Sequence, residues 1–254
     1  MILDGKTLAD KIAAGLNGRG PRSGSGASLA VILVGDNPAS EKYVKMKGAR
    51  AREVGIDFQL SRFDATAAES EIIEAIRGAA AAGSDGIMVQ LPLPAAFDTR
   101  RILAAIPPEK DVDGLTGRGP FMPATVAGIA RLIEHYKIKT DGAVAVVVGR
   151  SAIVGRPAAA MLTDKNATVI LCHSHTRDLA HWTRQADIIV AATGTDNLIT
   201  ADMVKDGAVL IDAARDIESA AFARASAYTP HIGGVGPMTI ISLIENTLEA
   251  RDAG

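Results

Sequence analysis

The sequence predicts an α/β fold made of two domains with a cleft between them. Three observations predict it. Short, wholly apolar runs recur along the chain, helix-length segments alternate with them, and the alternation occurs twice, on either side of a stretch rich in glycine and proline. Apolar runs of this kind suit strands buried on both faces, and strands that alternate with helices imply parallel sheets.

In the first series, residues 29–34 (LAVILV) form a buried strand and residues 39–54 a helix that Gly55 ends. Residues 58–62 give a second strand, 69–82 a helix and 86–90 (GIMVQ) a third strand, after which Pro92, Pro94, Pro107 and Pro108 punctuate the chain. The second series begins with residues 143–148 (AVAVVV), which end at Gly149. A helix over 155–163, a strand over 169–172, a helix over 179–185 and strands over 188–192 and 208–212 follow. A last helix, roughly 237–249, carries Ile240, Ile241, Leu243, Ile244 and Leu248 and is long enough to return to the first domain. Gly117, Gly119, Pro120 and Pro123 mark the boundary. One domain is therefore residues 1–119 with the C-terminal helix 237–254, and the other is residues 120–236.

Composition excludes several functions. Lys and Arg number 27 against 29 Asp and Glu, with no basic block, so a nucleic-acid surface is not expected. Hydrophobic residues make up 48% of the chain, enough for sizeable cores. Asp4, Lys6 and Asp10 stand where a signal peptide needs an apolar run, and no apolar stretch is long enough to span a bilayer. Cys172 is the only cysteine, which suits a reducing compartment, so a cytoplasmic protein is expected.

The segment VVVGRSAIVGRP (146–157) follows a strand and opens a helix. Backbone N–H groups at such a turn can meet a pyrophosphate. Ser151 stands where the dinucleotide fingerprint has its second glycine, so an ordinary strand-to-helix turn is an equal reading of this spacing alone. The next strand adds weight. An NAD site usually places an acid there for the ribose 2′-hydroxyl. Here the strand runs into His173, Ser174, His175, Thr176 and Arg177, with no acid. Hydroxyls and the cations Arg150 and Arg177 favour a 2′-phosphate, so NADP is the expected cofactor. The expected cofactor contacts are Gly149, Arg150, Ser151, Ile153, Val154, Gly155, His173, Ser174, Thr176, Arg177, Thr193 and Gly194. His173 and His175 are read as neighbours of the adenosine ribose, and no metal site is expected. His135, His181 and His231 are read as surface or packing residues, and Cys172 as a small buried side chain.

Tyr43 and Lys47 stand four apart on the first long helix and so share a face. Gln90 ends a buried strand, and the carboxyl ends of parallel strands are where such folds bind ligands. Asp113 lies in KDVDG, where either Asp111 or Asp113 is equally read as a turn cap. A solvated lysine beside a half-buried tyrosine is the commoner fate of a pair like Tyr43 and Lys47.

In order, the chain shows YVxxK (43–47), VQLPLP (89–94), KDVDG (110–114), GRSxIVGRP (149–157), CHSxT (172–176), GGVGPMT (233–239) and IENTLEA (244–250). From about residue 36 to 250 it resembles the bifunctional methylenetetrahydrofolate dehydrogenase/cyclohydrolase family. The resemblance implies NADP-dependent oxidation of 5,10-methylenetetrahydrofolate to the 5,10-methenyl compound, then hydrolysis to 10-formyltetrahydrofolate. It implies a catalytic, folate-binding N-terminal domain, a Rossmann-like nucleotide domain and a homodimer. Lys47 matches the family's catalytic lysine, Gln90 the glutamine that orients it, Tyr43 the tyrosine that packs on the folate, and Asp113 the pterin-binding aspartate. Substrate contacts are expected from Tyr43, Lys47, Gln90, Leu91, Pro92, Asp113, Gly233, Gly234 and Pro237.

The chain departs from the family pattern in places. After Gly114 it is shorter, and Ala124 and Val126 replace the cysteine and second proline of PCTPxG. After IDAARD (211–216) a hairpin-like insertion is missing, and His231 and Ile232 replace a valine and a proline. Two other readings therefore stand beside the bifunctional one: a dehydrogenase with hydrolysis weak or lost, and a non-catalytic folate or nucleotide binder.

Overall fold

The computed structural model describes residues 1–16 and 26–253, so parts of the expected spans 1–119 and 237–254 lie outside the described residues. The chain divides into two compact units. One comprises Asp10–Ala124 and Ile240–Gly254, the other Met1–Ala9 and Thr125–Thr239. Among the described residues the first holds a three-stranded sheet and the second a five-stranded sheet. No helix among the described residues is long and apolar enough to cross a membrane.

Helix α1 (Gly5–Leu16) opens the chain. The Asp4 carboxylate accepts the Thr7 N–H at 2.9 Å, and Leu8, Ala9, Ala13 and Leu16 are buried at helical spacing. Strand β1 (Ser28–Val34) leads to α2 (Pro38–Glu53), where the Asn37 side chain accepts the Ala39 and Ser40 N–H groups and Pro38 fills the first turn. Strand β2 (Asp57–Phe63), α3 (Glu69–Ala81), β3 (Gly86–Val89) and α4 (Thr99–Leu103) follow. The sheet order is β2-β1-β3, all parallel, with Ile32 opposite Val89. Ile32, Ile72, Ile76, Ile87, Val89, Ile102 and Ile106 form a core, each such side chain stabilising the fold by roughly 1.5–3 kcal/mol through removal from water.

Helix α5 (Ala124–His135) begins the second series and buries Val126, Ile129, Leu132 and Ile133. Then come β4 (Val144–Val148), α6 (Gly155–Asp164), β5 (Thr168–Cys172), α7 (Leu179–Thr183), β6 (Ile188–Ala191), β7 (Val209–Asp212), the two-residue β8 (Ala227–Tyr228) and α8 (Val235–Ala253). The order is β5-β4-β6-β7-β8, again parallel. Both sheets are the parallel, helix-flanked kind that the apolar runs predict.

The units differ in extent from the expected spans. Met1–Ala9 belong with the five-stranded sheet, because the Leu3 N–H donates to Tyr228 O and the Lys6 N–H to Gly233 O, both at 2.8 Å. Residues up to Ala124 belong with the three-stranded sheet, since the Ala124 N–H donates to Asp113 O at 3.2 Å. Helix α8 is divided, its residues from Ile240 onward counting with the three-stranded sheet.

Candidate active site

Helix α2 turns Ser40, Val44, Lys47, Gly48 and Ala51 towards the interior. Lys47 therefore occupies a position on the core face of its helix, and it is only 4% exposed. A buried ammonium is costly unless it is paired. Two elements supply the partners. Side chains two apart along extended chain share a face, so Met88 on β3 and Gln90, the residue that follows the strand, both reach the amine. Its Nζ lies 3.5 Å from Met88 Sδ and donates to Gln90 Oε1 at 3.3 Å. Gln90 Nε2 donates to Leu91 O at 2.7 Å, which turns the amide oxygen towards the lysine. Asp113 Oδ2 lies 3.6 Å from Nζ on another side.

The KDVDG turn separates its two aspartates. Asp111, fully buried, accepts N–H groups from Leu115 at 3.0 Å and Thr116 at 2.8 Å and the Thr116 hydroxyl at 2.6 Å. It caps the turn, which leaves Asp113 to face Lys47. Helix α8 pins the same turn, because Asn246 Nδ2 donates to Val112 O at 2.8 Å. Asn246 was not singled out in the sequence, although it lies within IENTLEA. The sequence reading gives Asp113 to the pterin and does not pair it with Lys47; the structure brings the two together. Tyr43, one turn earlier on α2, is 42% exposed, so its ring faces solvent while Lys47 is buried. The Leu91–Pro92 peptide is cis.

The second set of residues lies in the five-stranded unit. Strand β4 has β5 on one side and β6 on the other, with Val148 opposite both Cys172 and Ala191. The loops that leave these strands are thus neighbours: Gly149, His173 and Ala192 begin side by side at the carboxyl ends, with Thr193 next. In parallel α/β sheets this reversal of strand order is a ligand-binding position. Gly149 takes φ +115°, and a Cβ there would stand 2.4 Å from Ala192 O. A Cβ on Gly155 would stand 1.9 Å from Gly149 O. Neither position admits a side chain without moving backbone. Ser151 Oγ accepts the Val154 and Gly155 N–H groups at 3.1 and 3.3 Å and so caps α6 where the fingerprint has glycine. Ile153 and Val154 are half-buried in this turn, and Arg150 is exposed.

After β5, the Thr176 hydroxyl accepts the His173 N–H at 2.8 Å, and His173 Nδ1 accepts the His175 N–H at 3.1 Å. An accepting Nδ1 is unprotonated. Partial burial, and then the nearby charges of Arg150 and His175, hold the His173 pKa below the ordinary histidine value. Positive groups therefore converge at this corner. Ser174 and Arg177 are exposed beside it. Cys172 is buried, and burial pushes its thiol pKa up, so it is packing rather than a nucleophile.

Gly233, Gly234 and Pro237 also lie in the five-stranded unit, unlike Tyr43, Lys47, Gln90 and Asp113. A Cβ on Gly234 would stand 2.4 Å from Pro230 O, so this turn too is closed to side chains. His231, read from sequence as surface or packing, has a polar role. Its Nε2 donates to Ile217 O at 2.8 Å and stands 3.4 Å from Asp212 Oδ2.

The chain is similar to the bifunctional protein FolD of Burkholderia thailandensis, with 46% identity over 282 positions that cover 99% of this chain and 96% of that protein. That span exceeds the 254 residues present here, so the relative carries residues this chain lacks. Among solved structures, the bifunctional FolD methylenetetrahydrofolate dehydrogenase/cyclohydrolase of Campylobacter jejuni matches with a TM-score of 0.93 and 38% identity, covering 100% of this chain and 99% of that one. The Trypanosoma brucei methylenetetrahydrofolate dehydrogenase-cyclohydrolase, solved with NADP and an inhibitor, matches with a TM-score of 0.94 and 29% identity over 100% of this chain and 97% of that one. The family model for the tetrahydrofolate dehydrogenase/cyclohydrolase catalytic domain matches residues 3–113, which contain the buried lysine and its partners. The model for its NAD(P)-binding domain matches residues 123–253, which contain the glycine turn. On both halves, the chain belongs to the tetrahydrofolate dehydrogenase/cyclohydrolase family.

Proposed function

We propose that Lys47, Gln90 and Asp113 are the reacting centre of a bifunctional enzyme. It oxidises 5,10-methylenetetrahydrofolate with NADP and hydrolyses the methenyl product to 10-formyltetrahydrofolate. The observation that carries this reading is the buried lysine held by a glutamine and an aspartate. A protein that only binds a nucleotide or a folate has no need to bury an amine at that cost.

NADP supplies the hydride acceptor when bound. The glycine turn at Gly149–Gly155 would take its pyrophosphate, with Thr193 and Gly194 alongside. Arg150, Ser174, Thr176 and Arg177, with His173, would take the 2′-phosphate. Oxidation asks mainly for alignment, because the nitrogen lone pairs of the substrate expel the hydride. Tyr43 offers a flat face to the pterin, and Asp113 accepts hydrogen bonds from its amino-pyrimidine edge. Leu91, Pro92, Gly233, Gly234 and Pro237 complete the substrate contacts.

In the hydrolysis, water adds to the methenyl carbon and gives up a proton; the bond from that carbon to N5 then breaks as N5 takes a proton and the new hydroxyl gives up its own to become the formyl oxygen, so one proton is released overall. Lys47 moves these protons. Gln90 accepts from the amine and fixes its direction without adding charge. We also infer a cytoplasmic homodimer. The lone reduced cysteine supports the compartment, and membership of the family supports the dimer.

The test is spectrophotometric. With 5,10-methylenetetrahydrofolate, NADP should be reduced in preference to NAD, and methenyl absorbance should then decay faster than in buffer. Decay only at the buffer rate would make the protein a dehydrogenase alone. Absence of reduction with either cofactor would overturn the reading.

A further inference from the structure

Asp216 is fully buried, yet no cation is its partner in any of the contacts that hold it. Its carboxylate instead accepts three consecutive backbone N–H groups. Oδ2 takes that of Thr193, and Oδ1 takes those of Gly194 at 2.7 Å and Thr195 at 3.0 Å. These three residues form the loop that leaves β6, beside the glycine turn. Bonds from N–H groups to an ionised acceptor are stronger than neutral ones, and three of them fix a short loop in one shape.

The segment that carries Asp216 is itself fastened at both ends. It leaves β7 at Asp212, where the chain pattern lacks a hairpin. Asp212 Oδ1 accepts the Ala214 and Asp216 N–H groups at 3.1 and 3.0 Å, and Oδ2 accepts that of Ile217 at 3.0 Å. His231 holds the Ile217 carbonyl. The Asp216 carbonyl accepts the Ile199 N–H at 2.9 Å, and Arg215 takes φ +66° to complete the tight turn. The short connection after β7 thus ties the β6 loop to the residues that precede the Gly233–Gly234 turn.

We infer that Asp216 is a positioning residue for NADP: it sets the Thr193–Thr195 loop in its binding shape before the cofactor arrives. The inference rests on the assignment of this loop to the nucleotide site. A preset loop need not be ordered by the ligand, and affinity rises by the ordering cost avoided. Asparagine at this position tests the point with almost no change of volume. Whichever way its amide is turned, an NH₂ faces at least one of the three backbone N–H groups.

Asp216→Asn should raise the KM for NADP at least tenfold. Hydrolysis of 5,10-methenyltetrahydrofolate consumes no NADP and should stay within twofold of wild type. A KM for NADP within twofold of wild type, or an equal fall in both activities, would overturn the inference, because a merely structural residue acts on both. Should the variant not fold, hydrogen exchange on the wild-type protein decides. The amides of Thr193, Gly194 and Thr195 should be protected before NADP is added, and free exchange that slows only on addition would sink the idea. Wild-type protein that reduces no NADP contradicts the functional assignment instead, so the two failures are distinguishable.

Discussion

At the scale of single residues, the centre of this protein is an amine in a place that favours hydrocarbon. Lys47 shares the core face of α2 with Val44 and Ala51, and it survives there because Gln90 and Asp113 meet it. Lys47→Met keeps the length and apolar stem and removes the amine. Hydrolysis of the methenyl compound should fall by about 10²–10⁴, the usual range for loss of an acid–base group, while NADP binding is unchanged. Normal hydrolysis by this variant would show that the protons move through another group. The residues that gather here, Lys47, Gln90 and Asp113, were legible in sequence as members of compact motifs, whereas Tyr43, one turn from Lys47, is exposed. What was not legible is the ion pair between Lys47 and Asp113, the Asn246 bond to Val112 and the Asp216 cradle. Each joins segments far apart in the chain, and a local pattern carries no record of which distant backbone groups a side chain will meet.

At the scale of elements, the strands were read most faithfully. Strands β1, β3, β4 and β6 are buried on both faces and so appear as unbroken apolar runs. Helix α5 was missed because the glycines and prolines before it read as a linker, and β8 because two residues carry no periodicity. Helix α1 was missed although Asp4 and the spacing of Leu8, Ala9 and Ala13 mark it. One tie between elements has a pH signature. Asp187 Oδ2 accepts the Val144 N–H at 2.9 Å, and Lys205 donates to its Oδ1 at 2.6 Å. The Lys205 hydrogen bond, then that of Val144, hold the Asp187 carboxyl below the usual aspartate range. A carboxylate so lowered contributes stability above its unfolded pKa and loses it as pH falls through its folded one. The pair is close to half exposed, so screening limits it to under about 1 kcal/mol. Lys205→Met should therefore lower Tm at pH 7 by no more than about 3 °C, and the gap to wild type should close below about pH 4. A gap that persists unchanged to pH 3 would contradict this origin.

At the scale of the molecule, the two halves of the chain match two domains of different kinds, one catalytic and one NAD(P)-binding. Parallel, helix-flanked sheets were evident from the sequence, but neither the strand order nor the extents of the units were; Met1–Ala9 join the five-stranded sheet through Tyr228 and Gly233. A ligand that binds only the folded state stabilises it in proportion to its saturation. NADP at 100 times its Kd should add about 2.7 kcal/mol, seen as a rise in Tm. NAD at the same concentration should give a smaller rise under the proposed assignment, in which Arg150 and its neighbours hold the 2′-phosphate that NAD lacks. Equal shifts from the two nucleotides would remove the case for a 2′-phosphate site.

The bond from Asn246 to the Val112 carbonyl has a consequence in time as well as space. Its two ends are 134 residues apart, and the later one comes from the last helix. During synthesis the lysine, the glutamine and the aspartate all leave the ribosome long before the residue that steadies the aspartate's turn. A nascent chain can thus present the three-stranded sheet while the turn that carries Asp113 still lacks the contact that holds it.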